Sequence, residues 1–113
     1  MNRDQANELT RELREFTQDR DWAQFHDPKN LSMLLASEVG ELLQLFRWVR
    51  NDESDAFAAR PENRSRIDEE VADIAISLLL LADRLGVNLV DAVKKKVQLN
   101  AAKYPAPKAP RSG

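Results

Sequence analysis

The sequence predicts an all-α fold, a bundle of four helices that associates with further copies of itself. Four stretches carry apolar residues at helical spacing, and no stretch alternates polar and apolar residues long enough to indicate a strand. The links between these stretches are short, as in helical bundles. The segment 74–82 is apolar on nearly every side, so we expect a second subunit to cover what one chain of 113 residues leaves exposed.

The first two helices have boundaries that the sequence marks. The first runs over about 4–20, and the segment 21–26 interrupts its pattern. Asp27 and Pro28 predict the start of the second helix, because Asp caps helix N-termini and Pro is favoured at the first helical position. That helix should reach about Val49.

The second half of the chain carries two more helices. A polar connection at 51–63 leads to a third helix over about 64–85, which ends at the glycine that follows it. Asn88 is placed to cap the fourth helix. We therefore expect one domain at residues 1–104 and a disordered, proline-rich tail at residues 105–113.

Composition excludes several classes of function. The chain has 17 Lys and Arg residues against 19 Asp and Glu residues, a net charge of −2, which argues against a general nucleic-acid binder. It has no cysteine, which excludes thiolate nucleophiles and cysteine-ligated zinc, and its three glycines form no phosphate-binding loop. There is no signal-peptide pattern, and the longest apolar run is far shorter than the roughly 20 residues of a membrane span. We therefore expect a cytoplasmic protein without a membrane partner.

Two pairs of acidic residues lie where apolar residues are expected. On the second helix, Glu38 falls inside the apolar sector and Glu41 lies at its edge. On the third helix, Glu70 flanks the apolar stripe and Asp73 lies in its most apolar part. Each pair is spaced i, i+3 and therefore shares one helix face. Two antiparallel helices would bring the four carboxylates together, and four anions in one dry site need a counter-charge.

The four carboxylates predict a metal site with oxygen ligands. Such ligands favour Mg²⁺, Mn²⁺ or Ca²⁺. In a competing interpretation, the acids lie on solvent-exposed edges of the helices and pair with Arg and Lys. The presence of an acid pair on each of two helices favours the metal site. A di-iron centre would require Glu-x-x-His on two helices, whereas the one histidine, His26, lies outside the helices.

The fourth helix carries polar residues that suit a nucleotide. Lys96 and Asn100 fall on its apolar stripe, and Tyr104 follows the same line. Lysine suits a phosphate and asparagine a sugar or base edge, although a lysine can also extend to solvent past its own stem. Trp22 and Trp48 flank the second helix, and either ring can stack on a base or belong to the core.

Several segments together resemble the MazG-like nucleotide pyrophosphohydrolases. The sequences S-E-V-G-E at 37–41 and E-E-V-A-D at 69–73 look like the metal motif of that all-α family. The dCTP pyrophosphatase subgroup resembles this chain further at three segments: 20–26, 46–48 and 96–105. Ser37 stands where the motif of the wider family begins with Glu, as in the dCTP subgroup. Leu13 and Ser77 stand where eukaryotic dCTP enzymes have His and Tyr.

The resemblance implies a set of site residues and a reaction. The residues implied as catalytic ligands of Mg²⁺ are Glu38, Glu41, Glu70 and Asp73. The residues implied to line the base and sugar pocket are Trp22, His26 and Trp48, and those implied to contact the substrate elsewhere are Lys96, Asn100 and Tyr104. Members of the family hydrolyse nucleoside triphosphates between the α and β phosphates to a monophosphate and pyrophosphate, and they assemble as dimers or tetramers.

Three hypotheses remain open at this point. The first is a Mg²⁺-dependent pyrophosphohydrolase of dCTP or a modified dCTP. The second keeps the fold and changes the substrate to dUTP, another dNTP or phosphoribosyl-ATP. The third is a helical, metal-binding interaction module without catalytic activity.

Overall fold

Five α-helices make up the part of the chain that the computed structural model describes, residues 1–107. They are α1 (Arg3–Asp19), α2 (Pro28–Phe46), α3 (Ser54–Ala59), α4 (Pro61–Leu85) and α5 (Leu89–Lys103). No strand occurs within residues 1–107, so the all-α prediction is confirmed. No helix in this part of the chain is long and apolar enough to cross a membrane. Of the predicted tail, residues 105–107 lie outside the helices, and residues 108–113 lie outside the described residues.

Three helix ends lie where the sequence predicts them: the start of α2, the start of α5 and the end of α4. The side chain of Asp27 accepts a hydrogen bond from the backbone N–H of Asn30 at 2.8 Å, and the first residue of α2 is a proline. Asn88 caps α5 by accepting from the backbone N–H of Asp91 at 3.1 Å. Gly86 ends α4 with φ 70°, a left-handed conformation that glycine adopts without steric cost.

The connection predicted at 51–63 contains a helix that the sequence analysis missed, and this is a correction. Pro61 is the first residue of α4, so α4 begins three residues earlier than predicted. The short α3 is held from two sides: Phe57 packs on Phe46 with ring centroids 5.5 Å apart, and the side-chain amide of Asn63 donates to the carbonyl of Phe57 at 3.0 Å. The second helix also ends at Phe46, three residues before its predicted end.

The central packing unit is the pair formed by α2 and α4. Leu31 of α2 is only 1% exposed and is the most completely buried large side chain in the described residues. α1 lies on another side of α4, where the Arg14 guanidinium meets the Asp83 carboxylate at 2.6 Å. Few apolar residues are buried among residues 1–107: Ala6, Leu31, Ile67, Leu79, Leu80 and Ala82.

Candidate active site

Three of the four predicted carboxylates meet between α2 and α4. Glu38, Glu41 and Glu70 each offer an oxygen, and these oxygens all lie within 4.8 Å of one another. Glu38 and Glu70 are half-buried, whereas Glu41 is exposed. One turn of α2 separates Glu38 from Glu41, so both reach the same side as Glu70 on the facing helix.

The fourth carboxylate, Asp73, lies beside this trio rather than within it. Asp73 is one turn after Glu70 on α4 and is exposed. Its negative charge helps to raise the pKa of Glu38, which places the two carboxylates near each other. Its backbone carbonyl accepts a hydrogen bond from the buried Ser77 hydroxyl at 3.0 Å. Three of the four acids therefore meet between the two helices, and Asp73 lies near Glu38.

Two oxygens of the cluster are buried without a hydrogen-bond partner. They are Oε2 of Glu38 and Oε2 of Glu70. Buried polar atoms in folded proteins are nearly always hydrogen-bonded or bound to an ion or water, so these two call for a ligand. Within residues 1–107 no lysine or arginine forms an ion pair with the four acids, while exposed acids such as Asp68 do find one, in Arg64 at 2.7 Å. In this part of the chain the four acids are therefore not ion-paired.

The electrostatics of the cluster favour a cation. Burial, followed by the negative charges of Glu41 and Glu38, raises the pKa of Glu70 to about 7. Burial also raises the pKa of Glu38, and the charges of Glu41 and Asp73 act in the same direction. A divalent cation would relieve this repulsion by replacing the proton that the cluster otherwise holds. The donor set is made only of carboxylate oxygens, which fits a hard divalent cation.

The structure places His26 at the junction of α1, α2 and α4, and it packs Trp22 against the end of α1. Trp22 is 48% exposed and packs edge-on against Phe16, with ring centroids 5.6 Å apart. His26 is half-buried and lines a cavity of about 200 Å³ together with Arg14 and Asp83. Both residues follow α1, so the turn at its end decides where they lie.

That turn depends on Asp21, which has φ 57°. Few residues with a Cβ adopt this left-handed conformation, and aspartate is among those that do so most readily. The turn lets the backbone N–H of Trp22 donate to the carbonyl of Thr17 at 2.9 Å, which closes the end of α1.

Trp48 lies in a different groove. Its ring is 85% exposed just after the end of α2, and the Arg47 guanidinium lies 5.1 Å from the ring centroid. The groove beside it measures about 660 Å³ and is also lined by Phe57 and Arg60. The structure therefore does not bring Trp48 and His26 into one pocket within a single chain.

The predicted substrate contacts in the C-terminal part of the chain lie on α5 and directly after it. Lys96, Asn100 and Tyr104 are all exposed. The main packing partner of α5 is α1, and an ion pair between Arg3 and Asp91 at 2.6 Å joins the starts of these two helices. The apolar stripe on which Lys96 was predicted to lie inward is therefore uncovered here.

Sequence analysis missed the ion pair that fixes α1 against α4. The Arg14 guanidinium donates to Asp83 through Nη2 at 2.6 Å and through Nε at 3.2 Å. These hydrogen bonds and the charge of Asp83 raise the pKa of Arg14. The pair forms one wall of the cavity that contains His26. No periodicity marks two surface charges 69 residues apart as partners.

Comparison with known proteins assigns the chain to a family. The sequence profile of the MazG-like family matches residues 34–112. The chain is 45% identical to dCTP pyrophosphatase 1 of Bos taurus over 91 residues, which is 80% of this chain and 54% of that protein. It is 44% identical to dCTP pyrophosphatase 1 of Homo sapiens over 92 residues, 81% of this chain and 54% of that protein. The chain thus spans about half the length of these curated relatives.

A solved structure agrees with the sequence relatives. The crystal structure of a pyrophosphatase from Archaeoglobus fulgidus superimposes with a TM-score of 0.83 and 42% sequence identity. The superposition covers 88% of this chain and 92% of that chain. From the profile match, the sequence identities and the shared fold, the chain belongs to the MazG-like family.

Proposed function

We propose that this chain is a Mg²⁺-dependent nucleoside triphosphate pyrophosphohydrolase that converts dCTP, or a modified dCTP, to dCMP and pyrophosphate. The observation that carries the proposal is the cluster of Glu38, Glu41 and Glu70 with two buried oxygens that lack partners. The substrate is suggested by the dCTP pyrophosphatase relatives, and the class of bond also by the pyrophosphatase of similar structure.

The carboxylates have distinct parts in this proposal. Glu38, Glu41 and Glu70, whose oxygens lie within 4.8 Å of one another, would hold the cation, and Asp73 would complete its ligands from the edge of the cluster. When bound, Mg²⁺ would supply charge neutralisation for the triphosphate and positioning for the attacking water. Glu41 is the exposed member and is therefore the carboxylate best placed to orient that water or to accept its proton.

The proposed substrate contacts lie in three places around the chain. Trp22 and Trp48 expose aromatic surface on which a base can stack, and His26 offers a ring nitrogen in the cavity between α1, α2 and α4. Lys96 and Asn100 lie on α5 and Tyr104 directly follows it, and all three residues are exposed. Because the two tryptophans lie in different places, one chain offers two alternative base sites.

The amount of exposed surface supports a homo-oligomer, a dimer or a tetramer. The chain exposes 9103 Å², whereas a compact monomer of 12.9 kDa exposes about 6,300 Å². Its radius of gyration is 17.6 Å, against about 13 Å for a compact chain of this length. The excess area is larger than the share of one partner in a standard interface, about 800 Å². Large apolar side chains contribute to it on three helices: Met33, Leu43, Val71, Ile76 and Val97.

The experiment that tests the function is a panel of nucleotides with and without Mg²⁺, read by chromatography. We expect Mg²⁺-dependent release of pyrophosphate, with dCTP or a modified dCTP as the best substrate. A preference for dUTP, another dNTP or phosphoribosyl-ATP would keep the reaction and correct the substrate. No metal-dependent turnover of any nucleotide would favour the non-catalytic module.

Variants of the cluster test whether it is the site of the reaction. Glu38→Gln and Asp73→Asn should each abolish turnover and preserve helical content by circular dichroism. Glu69→Gln is the matched control, because Glu69 is the exposed neighbour of Glu70 on α4 and lies outside the cluster. If both cluster variants kept more than about a tenth of the activity, a loss of only 1.4 kcal/mol in barrier, the cluster would not be the catalytic metal site.

A further inference from the structure

Helix α2 has an apolar stripe on each of two opposite faces. The stripe that faces α4 contains Glu38 and four leucines, all buried or half-buried: Leu31, Leu35, Leu42 and Leu45. The second stripe, called the outer stripe below, consists of four exposed residues: Met33, Ala36, Gly40 and Leu43. Both sets repeat at three- and four-residue steps, so each lines a single face of the helix.

The outer stripe has no cover within the part of the chain that the structure describes. Met33 is 60% exposed and Leu43 is 66% exposed. Within residues 1–107, α4 is the only helix that packs extensively against α2. Large apolar side chains that share an exposed helix face mark a surface that another molecule covers.

The charge pattern of α2 is that of a buried helix. Between Lys29 and Arg47 the only charged residues are Glu38 and Glu41, which belong to the acid cluster. Helices that keep one face in water carry charged residues there, and a helix that is apolar on opposite faces is normally enclosed. The exposed face of α1, by comparison, carries three glutamates: Glu8, Glu12 and Glu15.

Gly40 leaves room for a second backbone at the outer stripe. A Cβ added at this position would meet nothing within 4 Å, so packing within the chain does not require a glycine. Glycine inside a helix destabilises the helix relative to alanine, but it permits close approach of another backbone. Ala36, one turn earlier, is also small and exposed.

The outer stripe is symmetric about position 38. Ala36 and Gly40 lie two residues on either side of this position, and Met33 and Leu43 lie five residues on either side. If two α2 helices packed antiparallel about a twofold axis, Met33 would face Leu43 of the second copy and Ala36 would face Gly40. An isologous interface uses the same surface of both copies and therefore needs this kind of self-complementary pattern.

We infer that the outer stripe is the contact between two copies of this chain, with the α2 helices antiparallel and crossing at Ala36 and Gly40. The exposed area of 9103 Å² exceeds that of a compact monomer by more than the 800 Å² or so that one partner buries in a standard interface. A stripe without charges does not repel its own copy. A lipid surface is disfavoured, because α2 lacks the row of Lys and Arg that borders the apolar face of membrane-surface helices.

Cross-linking between single-cysteine variants tests the antiparallel contact. The chain has no cysteine, so each variant carries one thiol. A disulfide requires Cα atoms about 4.4–6.8 Å apart, which the inferred crossing provides between position 36 of one copy and position 40 of the other. Random pairing of co-expressed Ala36→Cys and Gly40→Cys places them opposite each other in about half of the pairs. About half of the chains should therefore run as a cross-linked dimer until a reductant is added.

Two controls accompany the cross-linking. Either variant alone should cross-link far less, because equal positions of the two copies are offset by four residues, about 6 Å along the helices. Ala36→Cys co-expressed with Gln18→Cys should also cross-link little, since Gln18 is exposed on α1 and lies outside the outer stripe.

The mass of the particle in solution gives a second readout. Leu43→Lys puts a charge into the contact and should halve the particle mass measured by light scattering, whether the wild type is a dimer or a tetramer. Gln18→Lys adds the same charge on α1 and should leave the mass unchanged. Circular dichroism checks that helical content is preserved, and if Leu43→Lys fails to fold, the cross-linking decides.

The inference does not depend on the proposed function, because the outer stripe lies opposite Glu38 on α2 and its test uses no nucleotide. A monomeric wild type would overturn it and leave the outer stripe to a different protein. A folded Leu43→Lys variant of unchanged mass, or cross-linking of Ala36→Cys with Gly40→Cys no stronger than with Gln18→Cys, would place the contact on another face. A cross-linked but inactive protein would refute the proposed function and support the interface.

Discussion

Replacing the Glu38 carboxyl by an amide should stabilise the metal-free protein and remove its response to metal. The Oε2 atom of Glu38 is buried without a partner, and an unpartnered buried oxygen costs about 1–3 kcal/mol. An amide at this position can donate to the facing carboxylate and removes one of the repelling charges. We therefore expect Glu38→Gln to raise the free energy of unfolding in EDTA by about 1–3 kcal/mol, or the Tm by about 4–12 °C.

Thermal unfolding followed by circular dichroism measures both parts of this prediction. Protein concentration is held fixed, because the stability of an oligomer depends on it. Mg²⁺ at a hundred times its Kd should stabilise the wild type by about 2.7 kcal/mol and Glu38→Gln far less. Glu69→Gln should behave as the wild type in both conditions. A lower Tm of Glu38→Gln in EDTA, or a metal response equal to that of the wild type, would refute the reasoning from the unpartnered oxygens.

Two further predictions concern stability. In EDTA, the free energy of unfolding should fall as the pH rises from about 5 through 7. The pKa of Glu70 is about 7 in the folded chain, whereas a glutamate in an unfolded chain has a pKa of about 4.3. The folded state therefore binds more protons than the unfolded state in this pH range, and raising the pH destabilises it. Glu70→Gln should make the fall shallower, and equal slopes in the two proteins would contradict the assignment. Leu31→Ala should cost about 2–5 kcal/mol in urea unfolding, because Leu31 is 1% exposed. A loss below about 1 kcal/mol would mean that the packing of α2 on α4 differs from the structure.

Local signals predicted most of the helices and the carboxylate cluster. The side chains of Asp27 and Asn88 each accept a hydrogen bond from a backbone N–H three residues further along the chain, so the local sequence is sufficient to predict these caps. Helical spacing placed Glu38 within an apolar sector and Glu70 beside an apolar stripe, which identified both as candidate site residues. This spacing can be recognised in the sequence of each helix alone.

The features that were missed depend on contacts between elements. The short α3 is stabilised by the packing of Phe57 on Phe46. No local pattern in the polar connection predicts this contact. The Arg14–Asp83 ion pair likewise exists only because α1 and α4 meet. Lys96 falls on the apolar stripe of its helix by spacing, but which surface covers that stripe depends on neighbours that a single helix cannot specify.

The identity of the products tests the central claim most directly. dCTP is incubated with the protein and Mg²⁺, and nucleotides and phosphates are separated by chromatography, with EDTA as the control. The account predicts dCMP and pyrophosphate in equal amounts, formed only when the divalent cation is present. Formation of dCDP and orthophosphate, or equal turnover in EDTA, would contradict it.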